Sequence, residues 1–185
     1  MEAFEADLAA YLGAKHVIAV NSGTAALHLA LLGYEISPND KVGLPTLTFV
    51  ATANAVLMCG AVPVFVDHDS AWSSSIEVDL WGMPTRKASL IVDAAHSFGA
   101  KRDWSVGTYT LSFHPVKSIT TAEGGAIVTA SDEVADRCRL LRSHGRNADG
   151  EMVALGYNYR MSDIAAALGR SQLRRIDDII AKRRA

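Results

Sequence analysis

The sequence predicts an α/β fold, in which a sheet is covered on both faces by helices. Short apolar runs that suit buried strands alternate along the chain with longer stretches of helical spacing. The 185 residues are enough to bury one good core. The composition, with 49% hydrophobic and 21% charged residues, is ordinary for a soluble globular protein.

The predicted elements in the first third of the chain alternate between helix and strand. They are a helix over Glu2–Leu12, a strand over His16–Val20, a helix over Thr24–Leu32, a strand over Lys41–Leu44, a helix over Ala51–Cys59 and a strand over Val62–Val66. In the first helix, Phe4, Leu8 and Leu12 recur at helical spacing. Gly13 and Gly60 suit helix C-termini, because glycine readily adopts the left-handed conformation common there.

Further strands and helices are predicted in the rest of the chain. The strands cover Leu90–Val92, Tyr109–Phe113 and Gly125–Thr129, and the helices cover Asp132–Ser143 and Ser162–Lys182. Each strand is a short apolar run, and the first of them leads into Asp93. The first of these helices is amphipathic. Ser162 suits the N-cap of the last one, because a serine hydroxyl can accept a bond from a backbone N–H group there.

Charge and cysteine content argue against several classes of protein. A formal net charge of −2 and the lack of a basic block argue against nucleic acid as the main partner. The basic residues at Arg174–Arg175 and Lys182–Arg184 suit a solvated helix end. Cys59 and Cys138 have neither metal-ligand spacing nor a disulfide framework, so we expect no metal site and reduced, buried thiols in a cytoplasmic protein. We expect no signal peptide and no membrane partner.

Lys117 is the most informative residue of the chain. It lies between apolar runs in the segment SFHPVKSITTAEGGA (112–126). Burying an ammonium group is costly, so a lysine in such a place loses its proton more easily and becomes a nucleophile. A free amine can form a Schiff base with an aldehyde such as that of pyridoxal phosphate (PLP). The alternative interpretation is a surface lysine in a loop.

Three upstream features could complete a site for such a cofactor. Asn21–Thr24 lies at a strand-to-helix turn, which suits a phosphate, with N-capping by Ser22 or Thr24 as the alternative. Asp93 follows an apolar strand, where open α/β sheets place their ligands, although an aspartate there is more often a turn or cap residue. Phe49 could stack on the cofactor ring, and a core position is its alternative.

Five blocks of sequence carry a resemblance to a known family. They are NSGTAALHLALL (21–32), PTLTFVATANAVLMCGAVPVFVD (45–67), DAAHSFGA (93–100), SFHPVKSITTAEGGAIVT (112–129) and LGYNYRMSDIAAALGRSQL (155–173). In this order they resemble the DegT/DnrJ/EryC1/StrS sugar aminotransferases, which are PLP enzymes of the aspartate-aminotransferase fold. The resemblance implies a three-layer α/β/α large PLP domain of the fold type I aminotransferases, reduced in size.

The resemblance implies a phosphate site that two subunits share. Gly23 and Thr24 match the family turn that holds the PLP phosphate, and Ser112 matches a serine that also contacts it. Asn158 matches an asparagine that reaches the phosphate from the second subunit. The chain is therefore expected to form a homodimer with a shared active site.

The resemblance also assigns residues to the cofactor ring. Asp93 would hold the ring nitrogen protonated, and Phe49 would stack on the ring face. His96 matches a family position near the ring, with a packing or hydrogen-bonding role, although an isolated histidine would be interpreted as structural. Lys117 would form the internal aldimine and later move a proton between substrate and cofactor.

The chain departs from the family in length. Relatives are about twice as long, so residues 1–185 are expected to form a single truncated PLP-binding large domain, without the family's N-terminal arm and C-terminal small domain. The spacing between Asp67 and Asp93 is short. Where relatives have a helix and a further strand, Ser70–Ser75 and Val78–Gly82 stand in.

The functional hypothesis is a PLP-dependent aminotransferase that moves an amino group from glutamate to a keto-sugar nucleotide. The alternative is a non-catalytic PLP-binding or scaffold remnant that partners a full-length homologue. A dinucleotide-binding module is disfavoured, because no G-x-G-x-x-G follows a strand. Lys117 argues against a sugar dehydratase, because dehydratases of the family carry histidine at that position.

Overall fold

A computed structural model describes residues 1–67, 72, 74–85 and 89–184. Its helices are α1 (Glu2–Leu12), α2 (Gly23–Gly33), α3 (Val50–Met58), α4 (Asp132–Arg142), α5 (Asp163–Leu173) and α6 (Ile176–Arg184). Its strands are β1 (His16–Val20), β2 (Lys41–Pro45), β3 (Val62–Val66), β4 (Ile76–Val78), β5 (Ile91–Asp93), β6 (Thr108–Ser112) and β7 (Gly125–Thr129).

The strands form one extended, mixed sheet. Five of them hydrogen-bond in the order β1-β7-β6-β5-β4, in which β7 runs antiparallel to both neighbours and β4, β5 and β6 are parallel. The parallel pair β2–β3 joins the β4 edge through Gly43, whose N–H donates to the Ser74 carbonyl at 2.9 Å and which forms a parallel bridge with Ser75. The carboxyl ends of the parallel strands therefore lie along one edge.

Alternating side chains of the strands supply two separate cores. On β1, Ile18 and Val20 pack in a cluster with residues of α2, α3 and α4, whereas Val17 and Ala19 pack in a second cluster with residues of α1, α5 and α6. This follows from the two-residue period of a strand, which sends successive side chains to opposite faces. The expected α/β fold with helices on both faces is confirmed.

Most element boundaries agree with the sequence prediction to within one or two residues, but the last helix does not. The single helix predicted over Ser162–Lys182 is wrong, because α5 ends at Leu173 and α6 begins at Ile176. Both of these residues are buried, and the turn between them lets Ile180 of α6 pack against Gly99. Ser162 is the N-cap as predicted, accepting a bond from the Ala165 N–H group at 3.2 Å.

The segment between Asp67 and Asp93 also corrects the sequence interpretation. The further strand is present after all as β4, which is parallel to β5. Of the residues interpreted as substitutes, Ser70, Ala71 and Ser73 lie outside the described residues. Val78 ends β4, and Leu80–Gly82 forms a 3₁₀ turn. Ile76, Glu77 and Val78 do alternate between apolar and polar residues, but a strand of three residues is too short for that alternation to be a clear signal.

The cysteines match their prediction, since Cys59 and Cys138 are both buried and free. Among the helices of the described residues, none combines the length and apolar character needed to cross a bilayer.

Candidate active site

A cavity of about 380 Å³ opens where the carboxyl ends of the parallel strands meet. Residues following β1, β2, β4, β5 and β6 line it, as expected for the ligand site of an open α/β sheet. Seven of the eight predicted site residues are among them, namely Gly23, Thr24, Phe49, Asp93, His96, Ser112 and Lys117. The volume suits a small-molecule ligand.

The start of α2 forms one wall of the cavity. Ser22 is its N-cap and accepts a bond from the Ala25 N–H group at 3.1 Å, so the capping interpretation is right for Ser22 and leaves Thr24 unneeded as a cap. A Cβ atom on Gly23 would lie 2.9 Å from the Ser112 Cβ atom, which is too close. Because residue 23 is glycine, Ser112 can lie close to the free N–H groups in the first turn of α2. These N–H groups and the Ser112 hydroxyl form an anion cradle, meaning a set of donors suited to a negatively charged group.

The loop that carries Lys117 is closed at its base by Phe113. The Phe113 N–H group donates to the Gly124 carbonyl at 2.8 Å, and the Phe113 carbonyl accepts from the Thr121 N–H group at 3.0 Å. Within the loop, the Lys117 N–H group donates to the His114 carbonyl at 2.9 Å. Burial lowers the pKa of the Lys117 amine, while the nearby Asp93 opposes that shift. A half-buried amine of this kind is a better nucleophile than a solvated one.

Asp93 is a buried carboxylate at the floor of the cavity, with 7% of its surface exposed. Its Oδ2 atom accepts a hydrogen bond from the Thr52 hydroxyl at 2.8 Å, and its Oδ1 atom accepts from the Ala95 N–H group at 3.2 Å. Burial raises the pKa of Asp93, and these two hydrogen bonds, His96 and Lys117 oppose the rise. A cationic ligand group beside it would favour the ionised form further.

Phe49 and His96 flank the opening of the cavity. Phe49 is 69% exposed, so its alternative interpretation as a core residue is wrong. It is also the residue before α3, and its ring is free to lie on a flat ligand. Burial lowers the pKa of His96, and the charge of Lys117 lowers it further. A neutral imidazole can donate one hydrogen bond and accept another.

Asn158 is the predicted residue that does not reach this cavity. It is exposed on the segment between α4 and α5, where its carbonyl accepts a bond from the Asn21 side-chain amide at 3.2 Å. Its neighbours Tyr157 and Tyr159 stack on each other with ring centroids 4.9 Å apart and pack against His28. Asn158 is therefore exposed and does not line the cavity.

Sequence reasoning missed Thr52 and Asp79. Asp79 lines the cavity, is fully buried, and pairs with Arg102 at 2.7 Å and with the Ser97 hydroxyl at 2.5 Å. It follows β4 just as Asp93 ends β5, and that repeated placement of an aspartate was a usable signal. Thr52 carried no signal of its own, because its role depends on a contact with Asp93, 41 residues away.

Similarity to curated proteins covers almost the whole chain. A transaminase of Campylobacter jejuni serotype O:2, the UDP-4-amino-4,6-dideoxy-N-acetyl-beta-L-altrosamine transaminase, is 40% identical over 223 residues, with 97% of this chain and 58% of the relative covered. GDP-perosamine synthase of Caulobacter vibrioides is 40% identical over 214 residues, with the same coverage of both chains. The chain thus spans less than two thirds of the length of these relatives.

Two solved structures share the fold of this chain. DesV of S. venezuelae, in complex with a ketimine intermediate, superimposes with a TM-score of 0.87 at 32% identity, covering 96% of this chain and 57% of DesV. NtdA of Bacillus subtilis, with bound cofactor PMP, gives a TM-score of 0.86 at 29% identity and covers 95% of this chain and 48% of NtdA.

The family match is the most extensive of these similarities. The DegT/DnrJ/EryC1/StrS aminotransferase family matches over residues 1–79 and 84–185, which includes every predicted site residue. The interruption, at residues 80–83, falls in the 3₁₀ turn after β4. The chain therefore belongs to the DegT/DnrJ/EryC1/StrS aminotransferase family.

Proposed function

We propose that this chain carries the cofactor site of a PLP-dependent aminotransferase, which transfers an amino group from glutamate to a keto-sugar nucleotide. The observation that supports this most is the meeting of Lys117, Asp93 and the glycine-containing start of α2 at one cavity. An amine, an acid and an anion cradle at the same site are what a phosphorylated pyridine aldehyde requires.

The residues fit this cofactor in chemical type. The close approach of Gly23 and Ser112 leaves a cradle that a larger side chain would fill, and it would take the phosphate. Asp93 would face the ring nitrogen, where its charge keeps the ring electron-withdrawing. Phe49 would cover one ring face, and Lys117 would bond to the aldehyde and later move a proton at the substrate carbon.

The nucleotide-sugar substrate is supported by the names of the relatives. One of them is a transaminase of a UDP-linked amino sugar, and another makes GDP-perosamine. Glutamate as amino donor follows from the family resemblance. Both substrates are proposals for this chain, which corresponds to 58% of each of these relatives.

We also propose a homodimer with a shared site. Asn158 is exposed and does not line the cavity of its own subunit, which leaves it accessible to a partner. Leu155 and Ile164, on either side of it in the chain, expose more than four fifths of their surface. Exposed apolar groups around a polar one are typical of a surface that a partner covers.

The test is an absorbance titration of the purified protein with PLP, followed by borohydride. Wild type should develop a near-visible band that borohydride fixes covalently at Lys117, and Lys117→Ala should not. Lys101→Ala is the matched control, because Lys101 is an exposed lysine outside the cavity, and it should behave as wild type. A lysine-independent band, or no band, would overturn the proposal.

Glutamate added to the loaded protein separates the two functional hypotheses. Loss of the band with release of 2-oxoglutarate indicates an aminotransferase. A stable band in the presence of glutamate would instead indicate the non-catalytic PLP-binding or scaffold protein.

A further inference from the structure

A chain of two threonine hydroxyls leads to the Asp93 carboxylate. The Thr48 and Thr52 hydroxyl oxygens lie 2.8 Å apart, and the Thr52 oxygen lies 2.8 Å from Oδ2 of Asp93. Thr52 is fully buried. A buried hydroxyl is costly without a partner, so this placement is specific to the carboxylate that it contacts.

When Asp93 is ionised, the direction of these hydrogen bonds is fixed. A carboxylate only accepts, and a hydroxyl has a single proton, so Thr52 donates its proton to Asp93. The Thr52 oxygen must then accept from Thr48. Both bonds therefore point toward the carboxylate, and hydrogen bonds aligned in this way polarise one another.

The same two hydrogen bonds link two parts of the site that are distant in sequence. Thr48 and Thr52 lie on either side of Phe49, at the beginning of α3, whereas Asp93 ends β5. The second carboxylate oxygen is held by the Ala95 N–H group, so both oxygens have a donor from the protein. The carboxylate plane is thereby fixed, and its position is coupled to that of Phe49.

We propose that Thr52 is a positioning residue, whose hydroxyl holds the Asp93 carboxylate toward the cavity and ties it to the segment that carries Phe49. This inference rests on the proposed function, because it assigns Thr52 a role only through Asp93 and the cofactor ring. The bond matters most when Asp93 is ionised, since hydrogen bonds to charged groups are stronger than neutral ones.

The first experiment measures the PLP dissociation constant of Thr52→Val and Thr52→Ser. Valine keeps the shape but loses the hydroxyl, and the affinity should fall by about tenfold or more, as expected for a lost bond to a charged group. Serine keeps the hydroxyl and should bind within about twofold of wild type. An unchanged affinity in Thr52→Val would overturn the inference.

Thr129→Val is the matched control. Thr129 is also fully buried, and its hydroxyl bonds to that of Thr108 at 2.7 Å, but it does not line the cavity. This variant should lose stability without losing affinity for PLP. If Thr52→Val does not fold, Thr48→Val takes its place in the test, because Thr48 is the other threonine of the hydrogen-bond chain. If Thr48→Val binds PLP more weakly than Thr129→Val does, the inference is supported. If the two variants bind PLP equally well, it is contradicted.

The pH dependence of PLP affinity separates positioning from a general structural effect. Protonation of Asp93 should weaken PLP binding as the pH falls, and in Thr52→Val this decline should move to higher pH, because a donor that lowers the pKa of Asp93 is lost. His96 and Lys117 are the charged groups that act on Asp93, and both remain in every variant. An identical pH profile in Thr52→Val and Thr129→Val would contradict the inference.

The controls also separate failure of this inference from failure of the proposed function. Wild type that forms no Lys117-dependent band would overturn the proposed function, and the role of Thr52 with it. Wild type that forms the band, together with a Thr52→Val variant that binds equally well, would overturn only the role of Thr52.

Discussion

The two halves of the sheet are buried to different extents. Every residue of β7, at the centre of the half formed by β1, β7 and β6, is buried, whereas no residue of β3 is. Phe65 of β3 is 59% exposed, although phenylalanine is usually buried. We call the first the covered half and the second, formed by β2, β3 and β4, the open half.

The connections between strands explain the difference. In the covered half, α2 and α4 pack on one face, and α1 and α5 pack on the other. In the open half, α3 connects β2 to β3 and packs with Val42 and Leu44 on one face, but the described residues that connect β3 to β4 and β4 to β5 contain no α-helix. Parallel strands are normally joined through a crossover helix that covers the sheet. The comparison teaches that each face of this sheet is buried only where a helix packs on it: Val42, Leu44 and Ile76 are buried in one cluster with α2 and α3, and no residue of β2, β3 or β4 belongs to the cluster on the other face of the described sheet.

Polar contacts and the ring of one aromatic residue also stabilise the open half. Asp79, at its boundary, makes a buried ion pair with Arg102 and accepts a bond from the Thr85 N–H group at 2.7 Å. Trp72 packs on Gly43 of β2, where a Cβ atom would lie only 2.8 Å from the indole. The covered half thus depends on apolar burial on both faces, whereas the open half combines apolar burial on one face with a few specific contacts.

The largest difference in the free energy of unfolding is expected when the same substitution, Phe to Ala, is made in each of the two halves. Phe113→Ala in the covered half should lower the free energy of unfolding by about 4 kcal/mol, because Phe113 is fully buried and packs edge-on against Phe4. Phe65→Ala in the open half should cost less than about 1 kcal/mol, because much of the ring is already in water. Urea unfolding measures both, and equal losses would contradict the comparison.

The next prediction concerns the polar support of the open half. Asp79→Ala should cost about 3 kcal/mol, because it leaves the Arg102 guanidinium buried without its charge partner. Asp136→Ala is the control, since its ion pair with Arg139 is exposed and should contribute less than about 0.5 kcal/mol. Thermal unfolding measures the loss of stability in both variants. If Asp79→Ala loses as little stability as Asp136→Ala, the ion pair does not stabilise the open half.

The smallest expected effect concerns Asp93, which ends β5 between the two halves and lines the cavity. Burial raises its pKa, so the folded state binds more protons than the unfolded state above the ordinary value of 3.8. Without PLP, stability should therefore fall as the pH rises from that value toward the raised pKa, and then level off. Asn cannot titrate, so Asp93→Asn should remove this decline and be more stable than wild type near neutral pH.

Urea unfolding across pH, in the absence of PLP, measures this effect. Asp136→Asn should keep the decline of wild type, because Asp136 is exposed. A decline that persists in Asp93→Asn would mean that another group causes it.

The fold and most of the candidate site were predictable because their signals are local. The start of α2 follows from a strand, a capping serine and a glycine in consecutive positions, and the structure keeps that order. The strand order along the chain then brings Gly23, Asp93, Ser112 and Lys117 to one edge, since parallel strands end on the same side. The break after Leu173 was missed because no proline or glycine marks it, and β4 was missed because its alternation extends over only three residues of strand.

The sequence by itself determined the family, the main helices and strands, and the identity of the lysine, aspartate and glycine at the cavity, because each is encoded by neighbouring residues. Only the tertiary structure decided that Thr52 donates to Asp93, that Asp79 pairs with Arg102 and that β3 stays open. Each of these depends on residues that meet only after folding, as with the 41 positions between Thr52 and Asp93. Contacts across such distances have no local pattern, so the packing of the elements decides them.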